Sequence, residues 1–598
     1  TWFGEKSNYA AQLRNAEYGQ APIPGDYGLS DMPYGGVYNT GTNVNENFTL
    51  RAQANFRHAL GEKKQHLLSA SLGYEMNVSN TDGFSENTRG FFKSRGLKYV
   101  NMTAEEMNRF PKYASWVAHN HPTLRADKTH RLSGYAIFSY SYGSLFSLSA
   151  NTRFDASNKF GSRSNEKFLP VWSVSGMLNL KSLLFRQYDA VSDLRLRTSF
   201  GKTGNMVDNQ TPNLLLRQES LDTYYGENVA KVDALPNPYL RWEQTDQWNV
   251  GVDASLFDYR LTVGVDAYYK HTKDAFDNTL VSPFNGVENY VMNGSDITNS
   301  GFSINLSAYL LKTRDWSWLV SANYSVVYNS INTKTANKYK IEKYLNGTAI
   351  MDGKSIGTFY SYNFIGLDPQ NGLPLFDDYR DRQHLLEGQP LDRIMERVGV
   401  VSGSREPNFA GSFYSTLRYQ QWSLSASFNY ALGNKIRKFA LYKDVLDGVS
   451  SENNVRKEFT HRWRKPGDER HTQLPSLISP SDPAFGDNRY HWSAATPAAT
   501  QGFEAFADNY WMMYDNSNAR VVSGSYLRLS NLALRYQFTR KQLKGLPFSN
   551  LAFDAAMTNV FTLKSSALEG QDPTQSGFSL QTSLSLRPSF TFGLRVSF

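Results

Sequence analysis

Apolar and polar residues alternate with a period of two through most of this chain, the pattern of strands with two unlike faces. In "FTLRAQANFR", Phe48, Leu50, Ala52, Ala54 and Phe56 share one parity, against Thr49, Arg51, Gln53, Asn55 and Arg57. The closing "FTFGLRVSF" repeats it, with Phe590, Phe592, Leu594, Val596 and Phe598 against Thr591, Gly593, Arg595 and Ser597. Such segments fall at 48–57, 68–78, 131–142, 145–156, 171–181, 193–203, 246–257, 260–270, 301–311, 316–328, 409–419, 422–432, 525–539, 550–560 and 588–598. The pattern predicts an all-β chain of fifteen strands.

The connections alternate too. Short ones (59–66, 143–144, 182–192, 258–259, 312–315, 420–421, 540–549) take turns with longer ones (80–130, 157–170, 204–245, 271–300, 329–408, 433–524, 561–587). Packing a soluble core would also produce alternation, but a sandwich has no reason to keep this asymmetry. An antiparallel transmembrane β-barrel does, with short periplasmic turns and long extracellular loops. Energetics assigns the faces. A Lys or Arg against lipid at the midplane costs roughly 2–4 kcal/mol. The parity carrying Arg51, Arg57, Arg153, Arg195, Arg197 and Arg418 is therefore expected to face a wet lumen, and the Phe, Leu and Val parity lipid. Residues 1–47 are expected to be an extracellular loop region, and 48–598 barrel strands with their loops.

Composition changes the picture little. Aromatics make up 14% of the 598 residues, yet the mean hydropathy is −0.51. No apolar run reaches the ~18 residues of a spanning helix, whereas aromatic girdles at both interfaces suit a barrel. The absence of Cys removes disulfides and thiol chemistry. A net charge of +8, with both signs interspersed, argues against nucleic acid as a partner. The chain opens on Thr1 without an initiator Met, as expected of a processed chain or a fragment.

Candidate chemistry is sparse. "GKTG" (201–204) lacks the upstream Gly of a phosphate loop, Leu196 standing there. His119, His121 and His130 lack metal-ligand spacing, and the acids of "GLDPQNGLPLFDDYRDRQ" (366–383) lack that of a calcium loop. No Gly-x-Ser-x-Gly elbow appears. No enzyme activity, metal or cofactor is expected. The long loops carry Trp492, Tyr510, Trp511 and Tyr514, whose faces could stack on sugar rings or peptide side chains, pack within the loops, join the aromatic girdle or meet a lid. With Arg197 and Arg418 they are the candidate substrate contacts.

Several segments resemble SusC/RagA-type TonB-linked outer-membrane transporters of the Bacteroidetes: "LRLRTSFGKTGN" (194–205), "NPYLRWEQTDQWNVGVD" (237–253), "HRWRKPGDE" (461–469), "SGSYLRLSNLALRYQF" (523–538), "TNVFTLK" followed by "GQDPT" (558–574), and the terminal Phe. They stand in the family's order. The resemblance implies a twenty-two-stranded barrel whose plug domain and first strands lie outside this chain, with residence in the outer membrane of a Gram-negative bacterium. It implies TonB-dependent import of an oligosaccharide or oligopeptide, a SusD-like lipoprotein lid, TonB contact through the missing part, and lipid around the barrel. It also implies that the barrel-assembly machinery reads Phe598. A passive porin, or a barrel-anchored enzyme or adhesin, stays open as an alternative.

Overall fold

The computed structural model describes the chain apart from residues 1, 5, 15–29, 33, 159–168, 206–213, 222–225, 236, 238, 282–283, 285, 288, 334–338, 340, 378, 380–381, 386–396, 443–454, 478–509 and 576–585. Fifteen long strands stand among the described residues: β1 (Gly36–Leu60), β2 (His66–Phe92), β3 (Thr123–Tyr142), β4 (Phe146–Ser157), β5 (Leu169–Asn179), β6 (Val191–Asn205), β7 (Glu243–Leu256), β8 (Leu261–Leu280), β9 (Asn289–Lys312), β10 (Trp316–Thr333), β11 (Phe409–Tyr419), β12 (Trp422–Leu432), β13 (Tyr526–Gln537), β14 (Asn550–Lys564) and β15 (Ser589–Ser597). Each expected segment coincides with one of them.

The chain forms two compact units. The smaller comprises Thr1–Ala54, Leu72–Tyr135 and Phe154–Lys159. Here β1 pairs with β2, and Trp2–Phe3 adds to β1 at Val37 and Tyr38. The end of β2 folds back as a hairpin, Phe91 and Phe92 facing Tyr99 and Lys98. Left-handed Gly96 (φ 76°) and Leu97 (φ 60°) turn it. A short helix, Ala104–Asn108, is closed by a capping box between Thr103 and Glu106.

In the larger unit, β5 to β15 form a meander in which each strand is antiparallel to the next. Register places Arg197, Gly251, Asp266, Ser303 and Ser325 in one row across β6–β10. One residue along, Leu196, Val252, Val265, Ile304 and Tyr324 fill a row of the opposite face. One face is thus polar and the other apolar. Phe592 is 72% and Leu594 68% exposed, apolar surface that needs lipid rather than water beside it.

Strand length departs from expectation. β1 begins at Gly36 rather than residue 48, β2 runs on to Phe92, and β8 and β9 extend to Leu280 and back to Asn289. Much of the loop expected at 271–300 is therefore a long hairpin. Sequences such as "NGSDITNS" hide the strand because neither face must be apolar there, while backbone pairing continues. The connection at 182–192 likewise begins with a helix, Leu180–Leu184, whose first turn is capped by the Asn179 side chain accepting from Ser182 N at 3.0 Å. Within β13, a bulge at Ser530 shifts parity, so that Arg528 and Asn531 lie on the same polar face.

Candidate functional site

Two assemblies in the larger unit carry the described candidate residues. The first is the polar face of β6–β11. Arg197 Nε donates to Asp253 at 2.6 Å and its Nη2 reaches Asp266 at 2.9 Å. Gly251 lies between them, and a Cβ there would stand 2.3 Å from Asp266 Oδ1 and 3.0 Å from Arg197 Nη2. Glycine is what lets the guanidinium cross the strand. Beside this network a cavity of about 440 Å³ is lined by Asn305, Asn323, Ser412 and Tyr414 among others. Polar groups such as Asn305, Asn323 and Ser412 share this wall with Leu306 and Ala322.

The second is a platform built from the long loops between β10 and β13. Its buried core joins Tyr344, Tyr360, Tyr362, Phe376, Tyr442, Phe459, Trp511, Met513 and Tyr514. Two short pairings brace it, Thr358–Tyr362 with Gly399–Ser404 and Lys435–Arg437 with Val521–Ser523. Charged groups tie the core together. Arg437 donates to the carbonyls of Ser517 (3.0 Å), Leu345 (3.3 Å) and Tyr360 (2.9 Å), and to Ser361 Oγ (3.0 Å). Burial pushes its guanidinium down to about 9, still charged at neutral pH. Asp515 accepts from the backbone N–H groups of Leu441 and Tyr442, both at 2.8 Å. Glu458 accepts from Lys438 at 2.8 Å and Arg520 at 2.7 Å. Burial opposes the Glu458 charge, but these two cations hold its carboxyl below the usual range.

The motif residues are the joints of this platform. In "HRWRKPGDE", Gly467 is left-handed (φ 100°), and Asp468 accepts from Arg464 N and Lys465 N. Trp463 Nε1 donates to Glu469 at 3.2 Å, and its ring lies over Gly372 of the "GLDPQNG" turn, where a Cβ would be 2.3 Å away. In "GQDPT", Gln571 accepts from Phe439 N at 2.8 Å and donates to the Arg437 carbonyl at 3.0 Å. Asp572 receives Arg528 of "SYLRLSN" through two contacts of 3.0 and 2.7 Å. These motif residues fasten loops to one another and, through Asp572 and Arg528, to a strand.

The sequence-predicted contacts separate. Trp511 (1% exposed) and Tyr514 (2%) are buried, Trp511 donating to the Ser476 carbonyl at 2.7 Å, and Tyr510 packs beside them. Loop self-packing occupies those faces here. Trp492 lies outside the described residues. Arg197 stands on the polar face as its parity predicts; Arg418 is exposed on β11, opposite Ser317. Of the acids at 366–383, Asp377 pairs with Arg382 at 2.6 Å and Asp368 accepts from Gln370 N, while Asp378 and Asp381 lie outside the described residues. The buried ties Arg437, Glu458, Asp515 and Arg520 carry no periodic signal, and sequence reading did not find them.

A family model described as "TonB dependent receptor-like, beta-barrel" matches residues 1–560. TonB-dependent receptor P39 of Formosa agariphila is 27% identical over 529 residues, covering 80% of this chain and 47% of that protein. TonB-dependent receptor SusC of Bacteroides thetaiotaomicron is 25% identical over 323 residues, covering 49% of this chain and 31% of its own length. The chain thus spans less than half the length of these relatives. Among solved structures, that of the RagAB peptide transporter superposes with a TM-score of 0.72 at 20% identity, covering 94% of this chain and 56% of that one. A meander of two-faced strands, loops fastened by the motif residues and a match running from residue 1 to 560 agree: the chain belongs to the TonB-dependent receptor-like β-barrel family of the outer membrane.

Proposed function

We propose that this chain is the barrel portion of an active importer of oligomeric nutrients, either oligosaccharide or oligopeptide, powered through TonB and working with a SusD-like surface lipoprotein. The observation that carries this reading is the loop platform, a hydrophobic core with buried ion pairs built from connections rather than strands. A passive porin needs an open mouth. Loops ordered by their own core instead present a fixed surface to a partner or a ligand, and loops of this size are usually functional. The likeness to TonB-dependent receptors supports TonB coupling, and the likeness to the RagAB peptide transporter supports a peptide as one substrate class.

In this reading Arg197 and Arg418 stand along the substrate's route on the polar face, and their charges tune what passes. Trp511 and Tyr514 act through the platform they stabilise, and Tyr510 packs against it. Gentle detergent extraction of the full-length protein is expected to co-purify a second protein with a soluble domain. Uptake is expected to cease when TonB is deleted. A solitary barrel in several detergents, with uptake independent of TonB, would establish the porin instead.

A further inference from the structure

The smaller unit holds a cavity of about 740 Å³, well within the range of about 300–1,000 Å³ typical of ligand pockets. Four cations line it, Lys6, Arg14, Arg95 and Lys98, together with Tyr34 and Tyr99. No carboxylate stands among its described lining residues. Elsewhere in the chain the two signs are mixed, so four cations around one hollow are a departure.

The local fold holds these groups in place. Arg14 donates to the Gly35 carbonyl at 2.6 Å, which anchors the helix Asn8–Arg14 beside the start of β1. The hairpin turned by Gly96 and Leu97 sets Lys98 opposite Phe92 and Tyr99 opposite Phe91. Arg95 lies over the Phe92 ring at 4.6 Å, and the Tyr99 ring packs on Phe91 at 5.3 Å. Tyr34 and Tyr99 nevertheless remain 55% and 47% exposed, leaving ring surface uncovered. Guanidinium and ammonium groups beside open aromatic rings are suited to an anionic group carried on a ring.

We propose that this pocket binds an acidic saccharide, its carboxylate or sulfate held by Arg95 and Lys98 and its ring stacked on Tyr34 or Tyr99. An extended peptide would need backbone partners along a strand edge, whereas the lining offers side-chain cations and ring faces. The pocket lies at the ends of β1 and β2 remote from their short turn at 61–65, the end that is extracellular in the importer reading. The inference rests on that reading for its access to outside ligands. The acidic sugar could come from a free nutrient or from the saccharide of a neighbouring outer-leaflet lipid.

Binding is measured on purified full-length protein in detergent, by titration with a short oligogalacturonate, a neutral malto-oligosaccharide of equal length, and an oligoglutamate. Because TonB is absent, the result is separable from any failure of transport. The oligogalacturonate is expected to bind, with affinity falling at least about tenfold in R95Q/K98Q and weakening as salt is added. Y99A is expected to weaken the saccharide while leaving competition by inorganic sulfate unchanged. All three positions are exposed or lie on an exposed hairpin, and retained heat-modifiable mobility on a gel checks the fold. Lipopolysaccharide nanodiscs competing with the oligogalacturonate identify the lipid as the source; failure to compete identifies the free nutrient. Equal binding of the neutral sugar, equal binding of oligoglutamate, or indifference to R95Q/K98Q overturns the proposal.

Discussion

Arg197 and Asp266 lie 69 positions apart, yet meet at 2.9 Å because Gly251, in the same row between them, has no side chain. The guanidinium spans a whole strand to join β6 to β8. Both groups are partly open to solvent on the polar face, at 44% and 39% exposure, so the pair contributes at most about 1 kcal/mol to folding. Its effect belongs to the shape and charge of the wall.

Replacing Arg197 with Leu is therefore expected to leave the amount of folded protein in the outer membrane near normal and to change uptake, since Asp253 and Asp266 then face the proposed substrate route without their cation. Heat-modifiable mobility reads the first and substrate accumulation the second. Gly251→Val is expected to act likewise, because its Cβ would displace both partners. Loss of folded barrel in Arg197→Leu would mean that the face was assigned wrongly.

Arg437→Met is expected to loosen the platform and spare the strands. Several buried acceptors lose their donor, each at roughly 1–3 kcal/mol. Hydrogen exchange should rise across residues 433–441 and 510–523 while β9 and β10 stay protected. Uniform exchange across both regions would show that platform and wall unfold as one unit. Arg437→Lys is expected to fail similarly, since a single ammonium cannot reproduce the fork.

Acid should act on the platform through Glu458 and Asp572. Burial raises both, but Arg520 and Lys438 lower Glu458 more, and Thr574 with Arg528 lowers Asp572 more, so each folded value lies below the ordinary one. The stabilisation they supply is complete above the unfolded carboxylate range near about 4. It is lost as pH falls through the lower folded values. Loop proteolysis by an acid-active protease is expected to be slow at pH about 5 and fast at pH about 2. A rate unchanged across that interval, after correction for the protease's own profile, would remove these two groups from the account.

Phe598→Ala is expected to separate assembly from stability. The terminal ring is 86% exposed, touching Phe548 at 5.4 Å between centroids, so its removal takes little from the folded barrel. Insertion in cells should nevertheless fall sharply on our proposal that the assembly machinery reads this Phe before the barrel closes. The comparison is in-cell insertion against refolding of full-length protein into detergent. A parallel fall in both would make the final stripe purely structural.

Alternation along the strands was legible because lipid on one side and water on the other impose opposite demands on neighbouring residues. Leu196 and Arg197 could be assigned to opposite faces from parity alone, and all fifteen strands were located where that contrast holds. It ends where the strand leaves the apolar band. The backbone pairing of β8 with β9 continues there through Asn289–Ser300, with no constraint on side-chain polarity and so no trace in the pattern. The loops lie further still from local control. Arg437 gathers oxygens from Leu345, Tyr360, Ser361 and Ser517, segments up to 92 residues away, and Trp511 is buried in a core drawn from Tyr339 to Tyr514. A local sequence window cannot contain such partners. The sequence by itself determined which residues face lipid; only the tertiary structure decided that Trp511 and Tyr514 are core and that Gly251 is the gap through which Arg197 reaches Asp266.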